Sequence, residues 1–287
     1  ARWRRLPRAR RVALATTVAL ALLATAAPAL DGPDPPGHLT VRFLDVGQGD
    51  ATLIQHPDGT AVLFDGGPPE AGVARLLRRV GVKRLAVVVA THASRDHHGG
   101  LAEVIRRFPV GTLLDGGDGT ADPAFRALLR DAAARGIRRV EATAPLTLAL
   151  AGGELRIRLL SPPPRPPGPA PEDPNPRAVV ARVTAGAFDL LLSADAESEA
   201  LLPLGLPDVD VMKVPHHGSS DPGLPEVLER LDPELAAIEV GPNTYGHPAP
   251  STVSALDRAA VPTYRTDRHG TVALTIHAGE MTVDTER

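Results

Sequence analysis

Residues 91–100 read Thr-His-Ala-Ser-Arg-Asp-His-His-Gly-Gly and follow an apolar, strand-like run, Leu-Ala-Val-Val-Val-Ala, at 85–90. They pack three imidazoles and a carboxylate into seven residues, 92–98, just after a strand end. A tight turn aims alternate side chains at one point, and imidazole with carboxylate is a ligand set for zinc and related divalent ions, so the stretch reads as half of a metal site. Taken alone it also fits a polar surface loop. Its counterparts downstream favour the metal site. The apolar run at 190–193 leads to Asp195 and Glu197, and the run at 209–215 leads into His216-His217-Gly218-Ser219-Ser220. Tyr245-Gly246-His247-Pro248 follows the run at 235–241. Four strand ends that each deliver His or Asp predict ligands converging on one point.

Composition narrows the chemistry. The chain has no cysteine, which excludes disulfides, thiolate metal sites and a cysteine nucleophile, so any metal falls to His, Asp or Glu. Aromatic residues make up only 3%, so the core must be aliphatic. At 287 residues the chain is long enough for one large domain or two ordinary ones. The net charge of -3 is uneven: residues 1–30 hold six arginines and no acids, and the remainder, with 25 basic and 34 acidic residues, carries -9. Such a domain exerts no bulk attraction on nucleic acid, so contact with DNA would need a local basic patch and bound metal. Arg75, Arg78, Arg79, Lys83 and Arg84, with Arg106 and Arg107, form one candidate, although such a run is also what a solvated helix face looks like.

Residues 1–11 are basic and 12–30 carry no charge, the pattern of a secretory signal peptide or of a transmembrane helix with its arginines on the cytoplasmic side. Ala27-Pro28-Ala29 resembles a cleavage site. Either version places the following domain outside the cytoplasm, secreted or membrane-anchored. A turn-rich linker at 31–37 separates this segment from a domain at 38–287. The patterns predict strands at 39–45, 51–56, 61–65, 85–90 and 111–114, with helices at 71–80, 101–108 and 123–136. Strands at 146–150 and 154–160 precede nine prolines in residues 161–176, which predict a surface loop. A hairpin at 178–183 and 189–193 opens a second alternation of strands with helices at 199–204, 224–231 and 252–260. Two similar halves predict an α/β fold, an αββα four-layer sandwich preceded by one N-terminal apolar helix, with strand ends from both halves meeting at one edge.

The ordered set Phe-Leu-Asp-Val-Gly-Gln-Gly-Asp-Ala (43–51), Leu-Phe-Asp-Gly-Gly (63–67), the His/Asp loop, Leu-Leu-Ser-Ala-Asp-Ala-Glu (191–197), Val-Pro-His-His-Gly-Ser-Ser (214–220) and Tyr-Gly-His-Pro (245–248) resembles the metallo-β-lactamase-fold hydrolases. Within them it is most similar to the soluble domain of ComEC-type competence proteins, which take up DNA across bacterial membranes. The resemblance runs from about residue 39 to about 274. It implies one or two divalent ions, Zn or Mn, with two-ion hydrolysis requiring a bridging carboxylate. Asp195 is the expected bridge. Asp96 and His97 are expected on one ion, completed by His216 or His247, and His92 on the other. Asp65 is expected to brace the His loop, and Asn243, Tyr245 or His217 to stabilise charge on a scissile phosphate. Asp96, Asp195, His217 and Asn243 are thus the expected catalytic residues.

Three departures accompany the resemblance. The family pattern H-x-[HD]-x-D-H has Ser94 at its middle position, Ala194 replaces the glycine before the bridging acid, and no histidine lies between His98 and Asp195. The His92 ion is therefore short of protein ligands. The implied function is a metal-dependent phosphodiesterase acting on DNA during uptake, with DNA and the membrane as partners and no evident protein partner. A secreted hydrolase of another phosphodiester or ester and a non-catalytic DNA-binding or channel-associated module are the alternatives, the last because of Ser94.

Overall fold

The computed structural model describes residues 33–287 and, as short edge strands, the backbone of 2–3 and 19–21. Apart from 19–21, the expected apolar helix, and with it the choice between signal peptide and anchor, lies outside the described residues. Among the described residues no helix is long and apolar enough to cross a membrane.

The first sheet is built from β1 (Leu39–Phe43), β2 (Thr52–Gln55), β3 (Ala61–Phe64), β4 (Leu85–Ala90), β5 (Val110–Asp115) and β6 (Arg138–Glu141) in sequence order. The second holds β7 (Leu146–Leu150), β8 (Leu155–Ser161), β9 (Val180–Ala185), β10 (Phe188–Leu192), β11 (Val211–Lys213), β12 (Leu235–Ile238) and β13 (Thr263–Arg265), again in sequence order. The C-terminal hairpin β14 (Val272–His277) and β15 (Glu280–Thr285) returns to the first sheet, where β14 pairs antiparallel with β1. Strands β3 to β6 are parallel, as are β10 to β13.

Alternation along the strands makes the layers. Val87 and Val89 of β4 face the space between the sheets, where they meet Ile157, Leu190, Val211 and Ala237, while Val88 and Ala90 turn outward. Outside the first sheet lie α1 (Val73–Arg79), the single turn α2 (Arg95–His98), α3 (Leu101–Arg107) and α4 (Pro123–Ala134). Outside the second lie α5 (Ser198–Leu201), α6 (Leu224–Leu231) and α7 (Pro250–Arg258); a single turn, α8 (Thr266–His269), follows β13. Three apolar clusters, one between the sheets and one under each helical layer, make this the expected αββα sandwich.

Local chemistry sets the boundaries. Asp122 caps α4 by accepting a 2.6 Å hydrogen bond from the Phe125 amide, and Gly136, at φ 69°, ends its C-terminal turn. The proline-rich stretch is a loop tied down at one point: Asp118 accepts from Arg165 Nε at 3.1 Å and Arg177 Nε at 2.5 Å. Strand β6 was not anticipated, because Arg-Arg-Val-Glu offers one apolar residue and sits exposed at a sheet edge.

Candidate metal centre

In both parallel runs the strands deliver their C-terminal ends to the same rim, the usual location of sites in open α/β sheets. From β3 comes Asp65, held at φ 57°, whose carboxylate accepts hydrogen bonds from the Thr91 amide at 2.8 Å and the Thr91 hydroxyl at 2.6 Å. The same carboxylate lies 2.9 Å from His97 Nδ1. Because the Thr91 hydroxyl donates to Asp65, its oxygen is left to accept from His92 Nδ1, 3.0 Å away. Both imidazoles therefore carry their proton on Nδ1 and present a free Nε2.

The second sheet answers from the ends of β10 and β11. Ala194, at φ 46°, takes the left-handed conformation that glycine adopts without strain and turns Asp195 into the rim. His216, His217 and Gly218 follow one another at φ 49°, 52° and 81°. Such conformations cost a non-glycine residue about 1–3 kcal/mol each, so surrounding contacts must hold them. His216 Nδ1 lies 2.8 Å from Glu197 Oε1; His217 Nδ1 lies 2.9 Å from the Glu239 carbonyl and 3.1 Å from Asp50 Oδ1.

These braces aim four Nε2 atoms at one carboxylate. Asp195 Oδ1 lies 3.1 Å from His97 Nε2 and 3.6 Å from His217 Nε2, while Oδ2 lies 3.8 Å from His92 Nε2 and 3.6 Å from His216 Nε2. Asp96 Oδ2 joins the first group, 3.3 Å from His217 Nε2. Asp195 Oδ1 and the Nε2 atoms of His92, His97 and His217 are buried without a hydrogen-bond partner, an unfavourable state for polar atoms unless a cation satisfies them. One donor atom from each of Asp50, His97, Asp195 and His217 lies within 4.8 Å of the other three. Nitrogen and oxygen donors without thiolate suit a borderline or hard divalent cation, so the residues fit the metal that the sequence led us to expect.

Charge is concentrated here. Burial by itself would raise Asp195 and lower His217, but neighbouring charge prevails: His97 and then His217 hold Asp195 well below the carboxylate range, and Asp195 and then Asp50 raise His217 to about 10. His92, pushed the other way by burial and by neighbouring His97, falls to about 3.

Several expectations shift in detail. The partner that meets Asp96 and His97 is His217, not His216 or His247; His216 instead pairs with His92 across Asp195 Oδ2. Ser94 is not aimed at the centre as a ligand but donates a 2.6 Å hydrogen bond to Asp96 Oδ1, orienting that carboxylate. Asn243 does not face the centre with a free amide. Its nitrogen donates to the carbonyls of Gly241 and His247, and its oxygen accepts from the amides of Tyr245, Gly246 and His247, so it braces the loop. That loop carries His247, whose ring centroid lies 5.5 Å from that of His216, and Tyr245, which is 75% exposed. His98 packs edge-on against Phe125, away from the ligands.

Asp50, Lys213 and Glu239 join the centre without having been expected there, and Glu197, noted only as an acid at a strand end, supports His216. A signal was available: Lys213 and Glu239 are charged residues set at the ends of apolar strands, at inward-facing positions that continue Val211 and Ala237. The basic cluster, by contrast, belongs elsewhere. Arg78, Arg79, Lys83, Arg84, Arg106 and Arg107 lie at the C-terminal turns of α1 and α3 and the segments beyond, where β4 and β5 begin, at the end of the sheet away from the ligands.

ComE operon protein 3 of Bacillus subtilis strain 168 is 27% identical over 256 residues, covering 81% of this chain and 32% of that protein. Competence protein ComA of Neisseria gonorrhoeae is 26% identical over 254 residues, covering 85% and 33%. The chain thus spans about a third of the length of these curated relatives, and its resemblance to competence proteins of the ComEC type holds over most of its own length. Among solved structures, the metallo-beta-lactamase fold protein YhfI from Bacillus subtilis superposes with a TM-score of 0.55 at 12% identity, covering 82% of this chain and 99% of that one, a likeness of fold. A sequence model of the metallo-beta-lactamase superfamily matches residues 44–238. Because that match takes in every ligand-bearing turn from Asp65 to His217, the chain belongs to the metallo-beta-lactamase superfamily.

Proposed function

We propose that this chain is a metal-dependent phosphodiesterase that cleaves DNA during its uptake, outside the cytoplasm. The observation that carries the hydrolytic part is the Asp195 carboxylate, with one oxygen facing His97 and His217 and the other facing His92 and His216. That disposition suits a carboxylate shared between two divalent ions, Zn or Mn, with Asp96, His97 and His217 on one side and His92 and His216 on the other. A bound divalent cation supplies Lewis acidity, polarising a phosphoryl oxygen and easing ionisation of the attacking water. The residues do the positioning. Asp65, Thr91, Glu197 and Glu239 hold the Nδ1 side of the four imidazoles, so their Nε2 atoms need no reorganisation when substrate arrives.

Two observations support DNA as substrate. The relatives include a competence protein. Tyr245 is the one large apolar side chain exposed among the described residues, and it stands on the rim loop, its ring 5.8 Å from that of His247. An exposed tyrosine beside a phosphodiesterase centre is suited to stacking on an unpaired base. The arginine-rich, then uncharged, residues 1–30 support a location outside the cytoplasm.

The -9 charge of residues 31–287 and the placement of the basic cluster away from the rim favour a second reading, a smaller phosphodiester. One experiment separates them: hydrolysis of labelled linear DNA and of a chromogenic phosphodiester by the full chain with Mn²⁺ or Zn²⁺, beside Asp195→Ala. Metal-dependent cleavage of DNA, lost in the variant, is expected. Cleavage of the chromogenic ester alone would favour the smaller substrate, and cleavage of neither would sink the hydrolase reading.

A further inference from the structure

Lys213 is a lysine where the fold calls for an apolar residue. It continues the inward face of β11 after Val211, pairs in register with Ala237 of the inter-sheet core, and is 1% exposed. An ammonium so placed is costly unless its charge and its protons are answered. Here they are. Its Nζ forms an ion pair with Asp50 Oδ2 and donates a 2.8 Å hydrogen bond to the Ala194 carbonyl. These partners come from different sheets: Asp50 lies on the connection from β1 to β2, and Ala194 on the turn after β10. Each adjoins a ligand. The other oxygen of Asp50 lies 3.1 Å from His217 Nδ1, and Ala194 is the left-handed residue immediately before Asp195.

We propose that Lys213 is a positioning residue for the metal centre. Its ammonium fixes the Asp50 carboxylate against the rear nitrogen of His217, and it fixes the strained Ala194 turn that presents Asp195. Lys213 itself stands four residues before His217, so one side chain ties together three of the segments that form the site. Its ion pair and its hydrogen bond are made to Asp50 and Ala194 rather than to the imidazole ligands. Its effect passes through Asp50 and Ala194. The inference rests on the reading of these residues as a metal centre.

The test is calorimetric titration of the full-length protein with Mn²⁺ and with Zn²⁺, paired with thermal melts in EDTA, for wild type, Lys213→Met and Lys213→Met/Asp50→Asn. Methionine keeps the length of the side chain and removes the charge. The single variant leaves the Asp50 carboxylate buried without its ammonium partner, so its melting temperature should fall; the double variant removes that charge as well. We expect the double variant to melt close to wild type in EDTA yet to bind metal about 10–100-fold more weakly, the cost typical of losing an outer partner of a ligand. Wild-type metal affinity in a stably folded double variant would show that Lys213 only supports the fold and would overturn the proposal. Absence of metal binding by wild type would overturn both the proposal and the metal-centre reading, and so is distinguishable from failure of the proposal alone.

Discussion

The turns at 91–98 and 215–219 each aim two imidazoles at Asp195, yet they hold them by different means. The first is regular: His97 sits in the single helical turn α2, and neither of its histidine ligands has a positive φ. Its braces, Asp65 and Thr91, come from the same sheet and the same β3–α1–β4 unit. The second is strained, with three successive left-handed residues, and its supports come from both sheets: Glu197 after β10 and the Glu239 carbonyl after β12 from the second, and Asp50 before β2 from the first. One half of the centre is braced within a single local unit, whereas the other adds to its own sheet's braces a charged contact that the docked first sheet supplies. Substitutions that separate these two modes of support therefore probe the centre most sharply.

The largest effect should come from the group both turns share. Asp195→Ala removes the carboxylate from both imidazole pairs, and a fall in metal-dependent hydrolysis of at least about 1,000-fold is expected in a steady-state assay, comparable with losing a member of a concerted catalytic set. Next comes the contrast between neighbours on the second turn and its rim loop. His217→Ala should weaken metal binding by more than about 100-fold, exceeding the loss of an outer partner, while His247→Ala should leave affinity within about threefold, as measured by calorimetry. Equal losses would place His247 among the ligands and break the assignment.

The braces should rank by burial. Asp65→Asn, in a fully buried contact with His97, is expected to cost about 10–100-fold in metal affinity, and Glu197→Gln, whose contact with His216 is about a third exposed, only a few-fold. For the strained turn itself, an alanine at Gly218 would set its Cβ 2.7 Å from Pro248 Cβ at a φ of 81°. Gly218→Ala should destabilise the chain by about 1–3 kcal/mol, lowering Tm by several degrees in a thermal melt. The smallest effect belongs to the regular turn: Ser94→Ala only frees Asp96 from one hydrogen bond, and hydrolysis should change by less than about tenfold.

The same contrast explains what could be read from the sequence. The first turn was legible because its ligands and its brace Asp65 lie on consecutive strands whose apolar runs and glycines mark the boundaries. The αββα layering followed from two similar alternations of strand and helix. The second turn was legible as a ligand source, but not in its division of labour. Spacing cannot tell His216 from His217 when a backbone at φ 49° and 52° turns the two rings to opposite oxygens of Asp195. Nor can it pair Asp50 with Lys213, 163 residues later, because that contact is a consequence of docking one sheet on the other. Asn243 misled for a related reason: a polar residue near a site motif reads as catalytic until its amide is seen to be consumed by its own loop.

The most direct test is the anomalous difference density of crystals of the full chain grown with Mn²⁺. The expected result is a peak against the Asp195 carboxylate within bonding distance of the Nε2 atoms of His97 and His217, with any second peak on the His92 and His216 side. Peaks elsewhere, or His217 turned away from a bound ion held by His247, would contradict it.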